Sequence, residues 1–194
     1  MEGTNDVVVL RLGHRPGRDE RMTTHVGLTA RALGADRVLI AGAAGPRATV
    51  EEVVDRFGGP FQVEVADDHG AVLREWDGVV VHLTMYGLPI EDVESDVRAA
   101  HASDPLLVVV GSEKVPFDVY EAADYNVAVT NQPHSEVASL AVFLDRLFEG
   151  RELGREWAGA EKTVVPQATG KRVEDTDSGT PGSADDDGRT GDAN

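Results

Sequence analysis

The chain contains no cysteine, so a disulfide frame and any cysteine-based metal or redox site are excluded. No apolar run approaches the roughly 20 residues that a membrane span needs. The N-terminus lacks a positively charged segment followed by an apolar one, so no signal peptide is expected and the protein is read as soluble and cytoplasmic. The histidines at 14, 25, 69, 82, 101 and 134 do not fall into HExxH or facial-triad spacing, so no metal is expected. Lysine is scarce: Lys114, Lys162 and Lys171 are the only ones among 18 basic residues, the rest being arginine.

Acids outnumber bases 35 to 18, a formal net charge of -17. The residues from Glu174 onward hold seven acids against Arg189, which leaves -11 for residues 1–173. Such an acidic, lysine-poor, alanine- and valine-rich chain points to a halophilic protein, whose self-repulsion is screened by concentrated salt. Net negative charge argues against nucleic-acid binding, which draws much of its affinity from phosphate contacts. The local pattern argues the other way. Arg11, His14, Arg15, Arg18, Arg21 and His25 are opposed within their stretch only by Asp19 and Glu20.

Apolar runs predict strands at Asp6–Leu12, Arg37–Ala41, Phe61–Val65, Gly78–His82, Leu106–Val110 and Tyr125–Val129. Between them, three- and four-residue apolar spacing predicts helices over Met22–Leu33, Thr49–Phe57 and from Pro89 or Ile90 to His101. A helix or turn is expected over Asp68–Trp76, and a last helix runs from Glu136 through Val137, Leu140, Leu144 and Leu147. This alternation implies an α/β fold with a mostly parallel, Rossmann-like sheet and helices on both faces. The turn Gly42–Pro46 has neither of the common phosphate-loop spacings and reads as a tight turn. Residues 1–170 are expected to form one domain, with 151–170 as an extension in which Trp157 is a packing anchor. Residues 171–194 carry too few apolar side chains to bury a core and are expected to form an acidic disordered tail.

The most informative stretch is Leu106 to Leu147. Two apolar strands there end in polar loops, Gly111–Pro116 and Thr130–Ser135, and ligands of open α/β sheets bind beyond the carboxyl ends of strands. The segment GSEKVPFDVYEAADYNVAVTNQPHSEVASLAVFLDR resembles the C-terminal part of the SPOUT-class RNA methyltransferases. Together with LRLGHRPGRDERMTTHVGLTARALGA near the start and VVHLTMYG at Val80–Gly87, it is more narrowly similar to the archaeal family that methylates the ribose of tRNA cytidine 56. The likeness covers most of residues 6–150, with the motifs in the family's order.

That resemblance implies S-adenosylmethionine as methyl donor, tRNA as acceptor, a homodimer, and a C-terminal deep trefoil knot that builds the cofactor pocket. The connection rules alone predict an ordinary open sheet. By resemblance the pocket takes Leu83; Gly111, Ser112, Glu113, Lys114 and Val115; and Val127, Ala128, Val129, Thr130, Asn131, Gln132, Pro133 and His134. Leu83 and Val115 are apolar walls suited to adenine. Asn131, Ser135 and Glu136 can orient the ribose or shape the pocket. An arginine of the first motif is implied in catalysis, either as base or as the fork that holds a phosphate; a pKa above 12 speaks against the first role. Arg15 and Arg21 are the candidates, with Arg31 behind them. His25 is the alternative base, since histidine is the side chain that titrates near neutral pH. The apolar arc of the last helix is wide enough to serve both a sheet face and a partner. Two other readings remain: a non-catalytic RNA-binding module on the same fold, and an α/β enzyme for another nucleotide.

Overall fold

Four consecutive residues, Val7 to Leu10, are at most 1% exposed, a burial that only an interior strand of a sheet covered on both faces can reach. The computed structural model describes residues 5–15, 17–42, 45–111 and 114–176. In chain order the elements are β1 (Val7–Arg11), α1 (Glu20–Ala32), β2 (Arg37–Ala41), α2 (Gly45–Phe57), β3 (Gln62–Ala66), α3 (His69–Glu75), β4 (Val79–Pro89), α4 (Ile90–His101), β5 (Leu106–Val110), α5 (Phe117–Ala122), β6 (Tyr125–Ala128) and α6 (Glu136–Phe148). A 3-10 turn (Arg151–Gly154) and strands β7 (Lys162–Val165) and β8 (Arg172–Asp175) follow. The first six strands form one parallel sheet in the order β3-β2-β1-β5-β4-β6. Fold class and strand positions agree with the sequence expectation.

The period-two alternation of strands sorts the core into two layers. Val7, Val9, Leu106, Val108 and Val110 face α1, α2, α4 and α6. Val8, Leu10, Leu12, Leu107 and Val109 face the short helices α3 and α5, through Val72, Leu73 and Val119. Because all six strands are parallel, their carboxyl ends lie along one edge of the sheet.

Three boundaries differ from expectation. β4 does not stop at His82. It continues to Pro89 and pairs with β6 on both sides of a register shift between Leu83 and Leu88, so the polar run Thr84–Gly87 lies within a strand that bulges at the site edge. Helix α2 starts at Gly45, with Pro46 in its first turn, where the missing N–H costs nothing; Ala43 and Ala44 of the expected tight turn lie outside the described residues. The disordered tail expected from residue 171 begins instead with β8, which pairs antiparallel with β7 from Arg172 to Asp175. Backbone hydrogen bonds make that hairpin, and no apolar periodicity announces it. Residues 177–194 of the expected tail lie outside the described residues.

Trp157 anchors the extension as expected. The Arg31 guanidinium lies 4.2 Å from its ring centroid and donates to the Gly58 carbonyl at 2.7 Å. Gly59 lets the indole close in, since a Cβ there would sit 2.7 Å from the ring. No helix among the described residues is long and apolar enough to cross a membrane.

Candidate active site

Three strand ends come together at the carboxyl edge of the sheet around a cavity of about 670 Å³. β4 contributes His82 to Tyr86, the segment after β5 contributes Gly111, Lys114 and Val115, and the segment after β6 contributes Pro133 to Glu136; Tyr120 of α5 and Ser139 of α6 complete the wall. Each segment is held by local chemistry. At Gly111 an added Cβ would lie 2.1 Å from Val115 Cγ2, so a larger residue there would displace Val115. Lys114 takes φ 67, a left-handed conformation uncommon outside glycine and, in folded proteins, concentrated at functional loops. Asn131 donates through Nδ2 to the carbonyls of Met85 at 2.8 Å and Gly87 at 3.1 Å, which ties the segment after β6 to the bulge of β4. The Ser135 hydroxyl accepts from the Ala138 N–H at 3.2 Å and caps α6.

Beneath this cavity lies a charge that sequence reasoning placed only in the basic cluster. Arg11, the last residue of β1, is 1% exposed. Its Nη2 sits 3.3 Å from Glu136 Oε1, which faces the cavity, and its Nη1 donates to the Leu12 carbonyl at 2.7 Å. Burial works against the Arg11 charge and lowers its pKa; the Glu136 carboxylate is the largest counterweight, followed by Asp19. Arg11 thus locks the start of α6 to the central strand of the sheet.

The loop from β1 to α1 is built on ion pairs. Arg15 Nε donates to Asp19 Oδ2 at 2.8 Å, and the Arg15 N–H donates to the same oxygen at 3.1 Å. The hydrogen bond from the Arg15 side chain is the main cause that holds the Asp19 carboxyl below its usual range. His14, buried, shares a hydrogen bond with Thr23 Oγ1 at 2.8 Å. The side chains of Arg18, Arg21 and His25 are exposed and make no hydrogen bond or ion pair among the described residues.

Of the residues expected to bind cofactor, Leu83, Gly111, Lys114, Val115, Pro133 and His134 line the cavity. Val127 and Ala128 are buried in β6 behind it, Val129 is half-buried, and Thr130, Asn131 and Gln132 are exposed on the following segment. Ser112 and Glu113 lie outside the described residues. None of Arg15, Arg21 and His25 lines the cavity; the charges of Arg15 and Asp19 both act on Arg11. Arg31 is at neither place, being buried against Trp157. Among the described residues no group of three or more histidine, aspartate or glutamate side chains is arranged to hold a metal.

Comparison with known proteins agrees with this arrangement. A family model described as tRNA ribose 2'-O-methyltransferase, aTrm56, matches residues 57–174. The chain is 72% identical to the tRNA (cytidine(56)-2'-O)-methyltransferase of Natronomonas pharaonis, over 91% of this chain and 99% of that one. It is 55% identical to the enzyme of the same name from Pyrococcus abyssi, over 86% of each. Among solved structures, the SpoU methyltransferase AviRb from Streptomyces viridochromogenes, in complex with AdoMet, superposes with a TM-score of 0.55 at 16% identity. That match covers 79% of this chain and 63% of the other. An RNA 2'-O ribose methyltransferase superposes with a TM-score of 0.54 at 19% identity, covering 76% and 57%. The parallel sheet is therefore that of the SpoU methyltransferases, and the match over residues 57–174, together with the near full-length identity, means that the chain belongs to the aTrm56 family of tRNA ribose 2'-O-methyltransferases.

Proposed function

We propose that this protein transfers the methyl group of S-adenosylmethionine to the ribose 2'-hydroxyl of cytidine 56 in tRNA. The observation that carries the reading is the cavity itself. Three strand-end segments covered by the family resemblance, separated in sequence, meet there at the carboxyl edge of a parallel sheet, where such folds bind nucleotides.

The cavity suits the cofactor on its own chemistry. Leu83, Val115 and Tyr120 offer apolar and aromatic walls for adenine, and His82 presents a buried ring nitrogen with no partner among the described residues. Leu83, Gly111 to Val115 and the segment Val127 to His134 would hold S-adenosylmethionine, which supplies an electrophilic methyl on its sulfonium. The chain's own work is to bind, align and exclude water. Arg15 and Arg21 hold RNA phosphates beside the reacting ribose, a task for which the guanidinium fork is shaped. Asp19 orients Arg15, and a guanidinium, always protonated, suits the phosphate role better than that of base. His25 is the residue of this face suited to accept the hydroxyl proton.

The wider reading includes a knotted C-terminal region in which the Asn131 contacts to Met85 and Gly87 hold one segment against another. It also includes a homodimer: Tyr86 at the cavity and Phe117 beside Tyr120, 74% and 73% exposed, leave apolar surface for a second copy to cover. The protein works in the cytoplasm at high salt, where its charge of -17 is screened.

The test is methyl transfer from labelled S-adenosylmethionine to unmodified tRNA in multimolar KCl, beside a transcript with cytidine 56 replaced. Label on the first alone is expected. Label on both would overturn the assigned nucleotide, and label on neither, with the protein shown folded, would favour a non-catalytic RNA-binding role. Arg15→Ala and Arg21→Ala should abolish transfer with cofactor affinity nearly unchanged; loss of cofactor binding would overturn that division of roles.

A further inference from the structure

The cavity wall contains an imidazole whose hydrogen-bonding state can be deduced. Asn126 donates through Nδ2 to the Tyr120 carbonyl at 2.9 Å, which fixes its amide orientation and leaves Oδ1 as an acceptor. That Oδ1 lies 2.9 Å from His82 Nδ1. An acceptor facing a ring nitrogen requires a donor, so Nδ1 carries the proton. The ring is 0% exposed, and burial lowers its pKa, with the Asn126 hydrogen bond only a partial offset. The imidazole is therefore neutral, and Nε2 is a lone-pair acceptor.

That acceptor has no partner among the described residues: His82 Nε2 is buried without a hydrogen bond, in a residue that lines the cavity together with Leu83 and Tyr120. Tyr120 packs edge-on against the ring at a centroid distance of 4.5 Å, and its hydroxyl is occupied with Thr84 Oγ1 at 3.3 Å. A buried acceptor left unmet costs about 1–3 kcal/mol, and a leucine or phenylalanine in the same strand would avoid that cost. A buried polar group left in this state calls for an explanation, and at the wall of a cavity a ligand donor is one.

We propose that His82 Nε2 is a preset acceptor for an N–H or O–H donor on the adenosine half of the bound cofactor, the exocyclic amine or a ribose hydroxyl. The proposal rests on the methyltransferase reading above. The cofactor's ammonium group is set aside because a neutral nitrogen among aromatic and apolar walls does not stabilise a full charge. His82 would thus select adenosine-bearing ligands, while taking no part in the movement of the methyl group or of the ribose proton.

The test uses the full chain in multimolar KCl, with S-adenosylhomocysteine and 5'-methylthioadenosine as probes and calorimetry as readout. His82→Phe keeps a planar ring but removes the acceptor; His82→Gln restores an oxygen near Nε2. About a tenfold loss of affinity is expected for His82→Phe with both probes, which is about 1.4 kcal/mol, with partial recovery in His82→Gln. Equal loss with both probes assigns the contact to the adenosine half; a loss confined to S-adenosylhomocysteine would overturn that assignment. Analogues with a blocked amine or a missing ribose hydroxyl then identify the donor, as the one whose removal makes wild type and His82→Phe equal. Nitrogen NMR of the wild-type ring requires no variant to fold. It should show Nε2 unprotonated in the free protein and moving towards the hydrogen-bonded position when S-adenosylhomocysteine is added. A protonated Nε2, or an unmoved one in the saturated complex, would overturn the proposal while leaving the methyltransferase reading intact. Wild type that binds neither probe would instead bring down the reading itself, and this proposal with it.

Discussion

Neutralising Glu136 should weaken the protein through Arg11. The two groups are 3.3 Å apart, with side chains 1% and 22% exposed. Unit charges at that distance attract by about 5 kcal/mol at an effective dielectric constant near 20. Glu136→Gln keeps an oxygen for Arg11 to meet but removes the charge, and a charge-assisted hydrogen bond is roughly twice as strong as a neutral one. About half the attraction should therefore be lost, or ~2–3 kcal/mol, the lower side of the cost of breaking a buried pair. For a chain of this length that corresponds to a fall in Tm of about 5–10 °C. Urea unfolding in multimolar KCl measures it without adding a second salt. The partner variant Arg11→Met alone leaves Glu136 reachable by water and should cost less than Glu136→Gln. The double variant should recover most of the loss, because no charge is then left buried and unpaired. A loss below about 0.5 kcal/mol for Glu136→Gln, or a double variant no more stable than the single one, would refute the argument that Glu136 compensates Arg11.

Gly111→Ala should lower S-adenosylhomocysteine affinity at least tenfold by calorimetry, because its Cβ would stand 2.1 Å from Val115 Cγ2 and push the cavity segment aside; unchanged affinity would mean that the segment yields freely. Burial, with the Asp145 carboxylate adding to it, raises the pKa of Glu152. An acid with a raised pKa in the folded state loses stability as pH climbs past its unfolded value near 4.3. Glu152→Gln should accordingly stabilise by about 1 kcal/mol at neutral pH, with the gain vanishing below pH about 4 in thermal melts. Trp157→Ala removes the surface on which Arg31 and Arg155 rest. It should release the extension beyond the 3-10 turn to limited proteolysis at a cost of about 2 kcal/mol, while the sheet core stays protected from hydrogen exchange.

Strand positions were legible because interior parallel strands are continuous apolar runs, and Leu106–Val110 can be little else. The cavity at the carboxyl edge of the sheet was foreshadowed only by the motifs, and several of its lining residues were not among those expected. Arg11 looked like one more member of a basic cluster, yet its place at the end of a fully buried strand already required a partner. His82 was noted for metal spacing, as a strand end and within a motif, but never as a site residue; a histidine inside the apolar run Val79–Leu83 was the better signal. Arg31 stood behind Arg15 and Arg21 as a catalytic candidate because nothing local reveals that Trp157, far along the chain, packs against it. The bulge of β4 and strand β8 are made by backbone pairing between residues whose side chains carry no alternating pattern, so periodicity could not find them.

The sheet order also sets a schedule for synthesis. β1 is central, but of its two neighbours β2 emerges soon afterwards, while β5 pairs with it from Leu106, about a hundred residues later. Non-local parallel pairing of this kind is slow to form. Until Leu106–Val110 leaves the ribosome, the edge Val7–Leu10, among the most apolar strands of the molecule, stays unpaired and able to join another chain. The cavity completes still later, once α6 has brought Glu136 to Arg11. A nascent chain stopped before Glu136 would carry all three strand-end segments of the cavity, but neither the carboxylate that meets Arg11 nor the helix that completes the wall. The cavity therefore closes only after the last strand of the sheet has been made.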